Sequence, residues 1–367
     1  MSTANKKYRF LFAGGGTGGH LFPAVAVAQK IKSIMPEAEI LFVGTKSKIE
    51  GKVVPQLGYK FKPIWIKGFS RKLNMENLLF PVKLTVSILQ SLAINMSYRP
   101  HVAIGSGGYV SGPAIFGAAL TGAKVMLLEQ NSFPGVTTKI LEKYASEVHV
   151  SFENSIKYFK AKNKVFVTGN PVRQNLSLSD RAEALKSFDL NSSKKTLLVL
   201  GGSLGAGSLN EAMAQSVKMF EAEGINVIWQ TGKYYYEKYK NFESDNIKVK
   251  AFIDDMNVAY SACDLMVSRS GATTIAELTV LGIPSILVPS PNVAENHQYY
   301  NAKSLSDNNA AVLVKDSEMK EKIFQAVVSV INDDQKLADI RSNAQKLGMP
   351  DAAEVIARKA IEYAQVS

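Results

Sequence analysis

At the start of each half of this chain of 367 residues a short apolar run breaks into a glycine cluster that opens a helix. Residues 8–13 lead into Gly14-Gly15-Gly16-Thr17-Gly18-Gly19-His20, and residues 196–200 lead into Gly201-Gly202-Ser203-Leu204-Gly205-Ala206. An apolar run this short, bounded by turn residues, suits a strand covered on both faces, as in a parallel sheet. Glycine lets the backbone turn sharply and come close to a ligand. Strand, glycine turn and helix in repetition leave an α/β fold, with helices on both faces of a parallel sheet, as the consistent solution. The pattern restarts halfway, and the length suits two domains rather than one.

In the first half, further strands are expected at 39–43, 63–66, 102–105, 124–128, 147–150 and 164–167. Helices are expected at 21–35, with Pro23 in the first turn, at 49–57, and from the second glycine loop, Ser106-Gly107-Gly108-Tyr109-Val110-Ser111-Gly112-Pro113, to residue 120. Residues 168–173 read as a hinge. Beyond it, strands are expected at 225–230, 247–251, 265–267, 285–288 and 310–314, and the tail from 316 reads as helical. The expected domains are 1–171 and 172–350, with a C-terminal helix at 351–367 packing back on the first.

Gly14, Gly16 and Gly19 fit G-x-G-x-x-G, the dinucleotide fingerprint. That fingerprint also wants an acid at the end of the second strand, where this chain has Val43-Gly44-Thr45, so an NAD site is not expected. What remains is a loop whose backbone N–H groups can approach phosphates. His20 stands beside it, where the helix begins, and is a candidate for proton transfer. Glu129-Gln130-Asn131 close a buried-type strand at its carboxyl end, where open α/β sheets keep their sites. In the second half, Ser268-Arg269-Ser270-Gly271-Ala272-Thr273-Thr274-Ile275-Ala276-Glu277 follows a strand, and its helix runs on to Gly282 and Pro284. The free N–H groups and dipole of that helix start favour an anion, and Glu277 lies where it could bond sugar hydroxyls.

Cys263 is the only cysteine and the four histidines are widely spaced, which argues against disulfides, a cysteine-based zinc site or a metal cluster and fits a reducing compartment. The formal charge of +11 is uneven: residues 1–171 hold 22 Lys and Arg against 8 Glu and no Asp, a net of +14, and the remainder carries −3. A basic half attracts nucleic acid, anionic lipid or a phosphorylated substrate. Residues 102–123 are free of charge, but six glycines and Pro113 argue against a membrane span. The apolar run 10–13 is too short for a signal peptide. Between Gly68 and Lys83, Met75, Leu78, Leu79 and Val82 can share one helical face, with Arg71, Lys72 and Lys83 alongside. That arrangement suits either an interfacial membrane contact or a core helix with solvated flanks.

Eight segments, in order, carry a resemblance. They are Gly15-Gly16-Thr17-Gly18-Gly19-His20, Gly107-Gly108-Tyr109-Val110-Ser111-Gly112-Pro113, Glu129-Gln130-Asn131, Gly169-Asn170-Pro171-Val172-Arg173, Gly201-Gly202-Ser203-Leu204-Gly205-Ala206, Phe252-Ile253-Asp254-Asp255-Met256, Ser268-Arg269-Ser270-Gly271-Ala272 and His297-Gln298-Tyr299-Tyr300-Asn301-Ala302. Over nearly its whole length the chain resembles the GT-B glycosyltransferases, and among them the family that adds N-acetylglucosamine to the lipid-linked muramyl-peptide precursor of the bacterial cell wall, converting lipid I to lipid II. The resemblance implies two Rossmann-like doubly wound domains facing a central cleft. It implies a donor site in the second half: Arg173 and Ser203 on the UDP phosphates, the Ile253 backbone on the uracil, and Ala272, Thr273 and Thr274 presenting a helix start to the pyrophosphate. Glu277 would hold the ribose and Gln298 the sugar. From the first half Thr17, Gly18, Gly19 and Asn131 would approach the sugar and the acceptor. Leu73, Met75, Leu78, Leu79 and Phe80, with Arg71, Lys72 and Lys83, would meet an anionic membrane. The patch lacks the family's tryptophan, leaving Phe69, Phe80 and Phe116, and Glu295-Asn296-His297 precedes Gln298 where the family pattern has another glutamine.

The implied reaction is attack by the MurNAc 4-hydroxyl on the anomeric carbon of UDP-N-acetylglucosamine, opposite the leaving UDP, turning an α-linkage into β. His20 is the first choice as general base, and Glu129 is the second catalytic candidate. Helix starts and Arg173 would stabilise the departing pyrophosphate without a metal. No cofactor is expected, UDP-N-acetylglucosamine being a substrate. The implied partners are lipid I, the anionic membrane surface and other cell-wall and division proteins, with no nucleic acid. The implied place is the cytoplasmic face of the plasma (inner) membrane, as a peripheral protein. The rivals are another GT-B glycolipid glycosyltransferase, a UDP-N-acetylglucosamine 2-epimerase, which would not need a basic, apolar-faced first half, and a non-catalytic nucleotide-sugar sensor.

Overall fold

A computed structural model describes residues 7–68, 79–202 and 204–366. The chain divides into two compact units, Met1–Gln174 with Met349–Ser367, and Asn175–Gly348.

Unit 1 is built on seven parallel strands, β1 Arg9–Ala13, β2 Glu39–Gly44, β3 Lys60–Pro63, β4 Val102–Gly105, β5 Lys124–Glu129, β6 Glu147–Val150 and β7 Val165–Val167. Their order is β3-β2-β1-β4-β5-β6-β7. β1 pairs on both sides, with Phe12 opposite Phe42 and Ile104. Successive side chains of a strand point to opposite faces. Phe10 and Phe12 therefore pack with Leu21 and Ile31 of the helix Gly18–Ile34 and with Ile356 and Ala360 of the last helix, Ala352–Val366. Leu11 and Ala13 join the opposite core, with Ile115, Leu127 and Val148. Both faces are covered, which is why the strands read as continuous apolar runs.

Three details differ from the sequence expectations. The first helix begins at Gly18, three residues early, so Pro23 lies in its second turn. The third strand is Lys60–Pro63 rather than 63–66. Its Lys-Phe-Lys alternation suits an edge strand with β2 as its only partner, and the apolar Ile64 and Ile66 are buried just beyond it. Residues 84–98, for which the sequence suggests no element, form most of the helix Phe80–Tyr98. That helix buries Ser87, Ser91 and Asn95 and exposes Val82, Leu89 and Met96. Ser91 Oγ donates back to the Ser87 carbonyl, and Asn95 Nδ2 donates to the Ala114 carbonyl of the helix Ser111–Leu120. A Cβ on Gly117 would stand 3.1 Å from Ser91, so the two helices meet closely through small residues.

Unit 2 repeats the winding with six parallel strands, β8 Thr196–Leu200, β9 Asn226–Gln230, β10 Ile247–Lys250, β11 Leu265–Ser268, β12 Ser285–Leu287 and β13 Val312–Leu313, in the order β10-β9-β8-β11-β12-β13. Leu198 of β8 stands between Ile228 and Met266. Each sheet thus reverses direction once, between β1 and β4 and between β8 and β11. The crevice beyond the carboxyl ends of the strands at such a point is where α/β sheets bind ligands. Cys263 is buried, and burial together with Asp264 pushes its thiol up to about 12, so it stays protonated and inert. Among the described residues no helix is long and apolar enough to cross a membrane.

Candidate active site

In unit 1 the loops after β1 and β4 interlock. Gly16, Gly107 and Gly108 take φ of 84, 95 and 80°, in the left-handed region that favours glycine. A Cβ on Gly108 would stand 2.4 Å from the Gly15 carbonyl oxygen, and one on Gly107 2.7 Å from Nδ1 of His20. Ser106 Oγ donates to the His20 carbonyl at 2.7 Å, and Ser111 Oγ to the Gly107 carbonyl at 2.8 Å. The two loops are therefore held as one surface. Thr17, Gly18 and Gly19 lie on its rim, at the helix start.

His20 is half-buried, in the first turn of the helix Gly18–Ile34. Gln130 Nε2 donates to the Leu128 carbonyl at 3.2 Å, which turns its Oε1 towards His20 Nδ1, also at 3.2 Å. Nδ1 then carries the hydrogen and Nε2 keeps its lone pair, the tautomer a proton acceptor needs. Glu129 is buried at the end of β5 and accepts the N–H groups of Asn131 at 3.1 Å and Gly135 at 3.0 Å. Burial raises its pKa, against the opposing effect of hydrogen bonds from Thr138, Asn131 and Gly135. These bonds brace the loop that carries Asn131.

Glu50 escapes the sequence reading. It is 1% exposed and accepts the N–H of Gly16 at 2.9 Å, the N–H of Thr45 at 3.0 Å and the Thr45 hydroxyl. The first glycine loop is thus less open than its sequence suggests, because the Gly16 amide faces inward. The signal was the position: a Glu in the first turn of the helix Ile49–Gln56, five residues after Thr45.

In unit 2 the helix Ala272–Leu281 starts directly beyond β11. Gly271 precedes it in extended backbone, and no side chain caps it. Its first N–H groups, at Ala272, Thr273 and Thr274, together with the dipole, are the kind of helix start that favours an anion. Among the described residues the buried Thr273 Oγ1 has no hydrogen-bond partner. Glu277 accepts a 2.6 Å bond from the hydroxyl of buried Tyr260, which orients the carboxylate. Gln298 Oε1 accepts from the Ser290 N–H at 2.9 Å, which directs donation through Nε2. The Ile253 N–H goes to Gln230 Oε1 at 2.8 Å, and Gln230 Nε2 donates to the Gly202 carbonyl at 3.2 Å. A base edge that offers a donor can use the Ile253 carbonyl, whereas one that offers an acceptor must displace Gln230.

Arg269 is committed to structure. It pairs with Asp316 at 2.6 Å, donates to the Val288 carbonyl at 3.1 Å and reaches Ser208 Oγ at 2.6 Å, tying together the ends of β11 and β12 and the start of the helix Gly207–Ala222. Ile253, Ala272, Thr273, Thr274, Glu277 and Gln298 all follow the strands of unit 2. Arg173 lies near the end of the first segment of unit 1. Ser203 lies outside the described residues, as do Arg71, Lys72, Leu73, Met75 and Leu78. Leu79 is exposed, Phe80 half-buried, and Lys83 Nζ stands 5.7 Å from the ring centre of Trp65, itself half exposed. Among the described residues no group of three or more His, Cys, Asp or Glu could hold a metal ion.

Residues 10–150 match the N-terminal domain of glycosyltransferase family 28, and residues 196–356 match its C-terminal domain. The chain is 41% identical over 363 residues to the UDP-N-acetylglucosamine–N-acetylmuramyl-(pentapeptide) pyrophosphoryl-undecaprenol N-acetylglucosamine transferase of Flavobacterium psychrophilum, covering 98% of this chain and 99% of that protein. It is 43% identical over 368 residues to the protein of the same description from Bacteroides thetaiotaomicron, with the same coverage. Among solved structures, MurG of Acinetobacter baumannii superposes with a TM-score of 0.77 at 29% identity, over 97% of this chain and 99% of that one.

Proposed function

The chain belongs to glycosyltransferase family 28, and on that footing we propose that it transfers N-acetylglucosamine from UDP-N-acetylglucosamine to N-acetylmuramyl-(pentapeptide) pyrophosphoryl-undecaprenol, the lipid I to lipid II step of peptidoglycan synthesis. The observation that carries this reading is likeness at 41–43% identity running through both units, to relatives all described by that one reaction.

The chemistry divides between the units. In unit 2 the N–H groups of Ala272, Thr273 and Thr274 meet the pyrophosphate and stabilise the charge that grows on UDP as it leaves, with Ser203 adding to them; Arg173, which belongs to unit 1, is the further cation for that charge. Glu277, oriented by Tyr260, accepts from the ribose hydroxyls, and Gln298 Nε2 donates to the sugar. In unit 1 His20 Nε2 takes the proton of the MurNAc 4-hydroxyl as it attacks, while Thr17, Gly18, Gly19 and Asn131 position the sugars. A single displacement inverts the anomeric centre. The mechanism calls on backbone donors and Arg173 for leaving-group charge and on no cofactor.

The acceptor's lipid stays in a bilayer, so unit 1 docks peripherally, on the cytoplasmic face where the nucleotide sugar is found. Val82, Leu89 and Met96 recur every seven residues along the helix Phe80–Tyr98 and point outward, with Leu79, Trp65 and Lys83 at one end. The +14 charge of residues 1–171 supplies attraction to anionic lipid, and the apolar stripe supplies shallow insertion. The test is incubation with labelled UDP-N-acetylglucosamine and a short-chain lipid I analogue. Label in the lipid-linked disaccharide supports the reading. Label that stays with the nucleotide, as an epimerised or unchanged sugar, overturns it.

A further inference from the structure

We propose that Glu50 is a positioning residue for the transfer reaction, setting the shape of loop 14–17 and, through it, the placement of His20; the inference rests on unit 1 being the acceptor side. Among the described residues Glu50 has no cationic partner within salt-bridge distance, and its buried charge is met by three donors. Oε2 serves the Gly16 N–H, and Oε1 serves both the N–H and the hydroxyl of Thr45. Both oxygens must accept, which an ionised carboxylate does and an amide does not, since the NH2 of a glutamine would face one of the donors. The surroundings are fitted to the group: a Cβ on Gly15 would stand 2.3 Å from Glu50 Cδ, and one on Gly44 2.4 Å from Cγ. Burying a charge costs stability that an apolar side chain of similar size would not, so what the carboxylate supplies is conformation. It draws the Gly16 amide inward. The Gly15 carbonyl then packs against Gly108, whose neighbour Gly107 abuts the His20 ring. Glu50 touches neither His20 nor the rim of the loop, yet the chain of contacts from its carboxylate ends at the imidazole.

The experiment compares full-length Glu50→Gln and Glu50→Asp with the parent, measuring kcat and KM for both substrates, UDP affinity by calorimetry, and thermal melting. We expect Glu50→Gln to lower kcat by about 10²-fold, the loss that a misplacement of about 1 Å produces, while UDP affinity stays within about twofold because Glu50 bonds to none of the residues proposed to hold UDP. Glu50→Asp keeps two accepting oxygens and should recover about tenfold over the glutamine variant. Turnover by Glu50→Gln within threefold of the parent would overturn the proposal, as would a loss of kcat accompanied by an equal loss of UDP binding and early melting. If the parent itself transfers nothing to the acceptor, the functional reading fails and the inference with it; an active parent with an active glutamine variant sinks the inference alone.

Discussion

His20 and Glu277 could be named as candidates from their places after a strand and a glycine turn, but the contacts that orient them could not. Gln130 reaches His20 across 110 residues, Glu50 reaches Gly16 across 34, and Tyr260 reaches Glu277 across 17. Only the fold brings such pairs together: Gln130 directly follows β5 and Glu50 lies in the first turn of its helix, but neither position names its partner. Two predictions belong at this scale. His20→Ala should lower kcat by about 10²–10⁴ and leave UDP affinity unchanged, the signature of losing a general base. Near-parental turnover at saturating acceptor would reduce His20 to structure. Gln130→Met, which keeps the volume and removes the acceptor, should show a smaller fall of the same kind. Glu277→Ala should weaken UDP-sugar binding by about 1–3 kcal/mol and Tyr260→Phe by about 0.5–1.5 kcal/mol, read by calorimetry. Unchanged affinity in the alanine variant would remove Glu277 from the donor site.

At the scale of elements, the buried parallel strands were readable because two covered faces demand apolar residues at every position. β3 was misplaced because an edge strand can alternate lysine with phenylalanine, and the apolar residues after it mimic a strand. The helix Phe80–Tyr98 went unseen for a related reason. Its fully buried residues are Ser87, Ser91 and Asn95, with Leu84, Ile94 and Tyr98 packed beside them, while Val82, Leu89 and Met96 are exposed, so apolar and polar residues do not separate into two faces. Apolar side chains turned to water at this spacing suit an interface. Replacing Leu89 and Met96 with serine should therefore lower sedimentation with anionic vesicles, leaving melting temperature and activity on a soluble acceptor near the parent's. Equal sedimentation of parent and variant would move the docking surface elsewhere.

At the scale of the whole molecule, the repeated glycine loops made the doubly wound plan legible, because the turn chemistry is local and recurs. How the chain's end joins the first sheet depends on side chains far apart in sequence. The helix Ala352–Val366 buries Ile356, Ala357, Ala360 and Ala364 in unit 1, and its Tyr363 hydroxyl donates to Glu147 of β6 at 2.9 Å. Burial alone would raise the Glu147 pKa, but His149 Nε2 standing 3.1 Å away, the hydrogen bond from Tyr363 and the charge of Lys359 outweigh it and hold the carboxyl below its ordinary value. A depressed folded pKa stabilises fully above the unfolded value, about 4.3, and that stabilisation is lost as pH falls through the folded value. Melting of the parent should thus drop more steeply below about pH 4 than that of Tyr363→Phe, whose carboxyl is less depressed; parallel curves would show that the contact carries no linkage. The central claim is an acceptor-dependent inverting transfer, and one measurement meets it directly: the proton NMR spectrum of the product formed from UDP-N-acetylglucosamine and a short-chain lipid I analogue. The account predicts a new β-linked N-acetylglucosamine, with one UDP released per linkage. An α-linked product, or consumption of the nucleotide sugar without any new glycosidic bond, would contradict it.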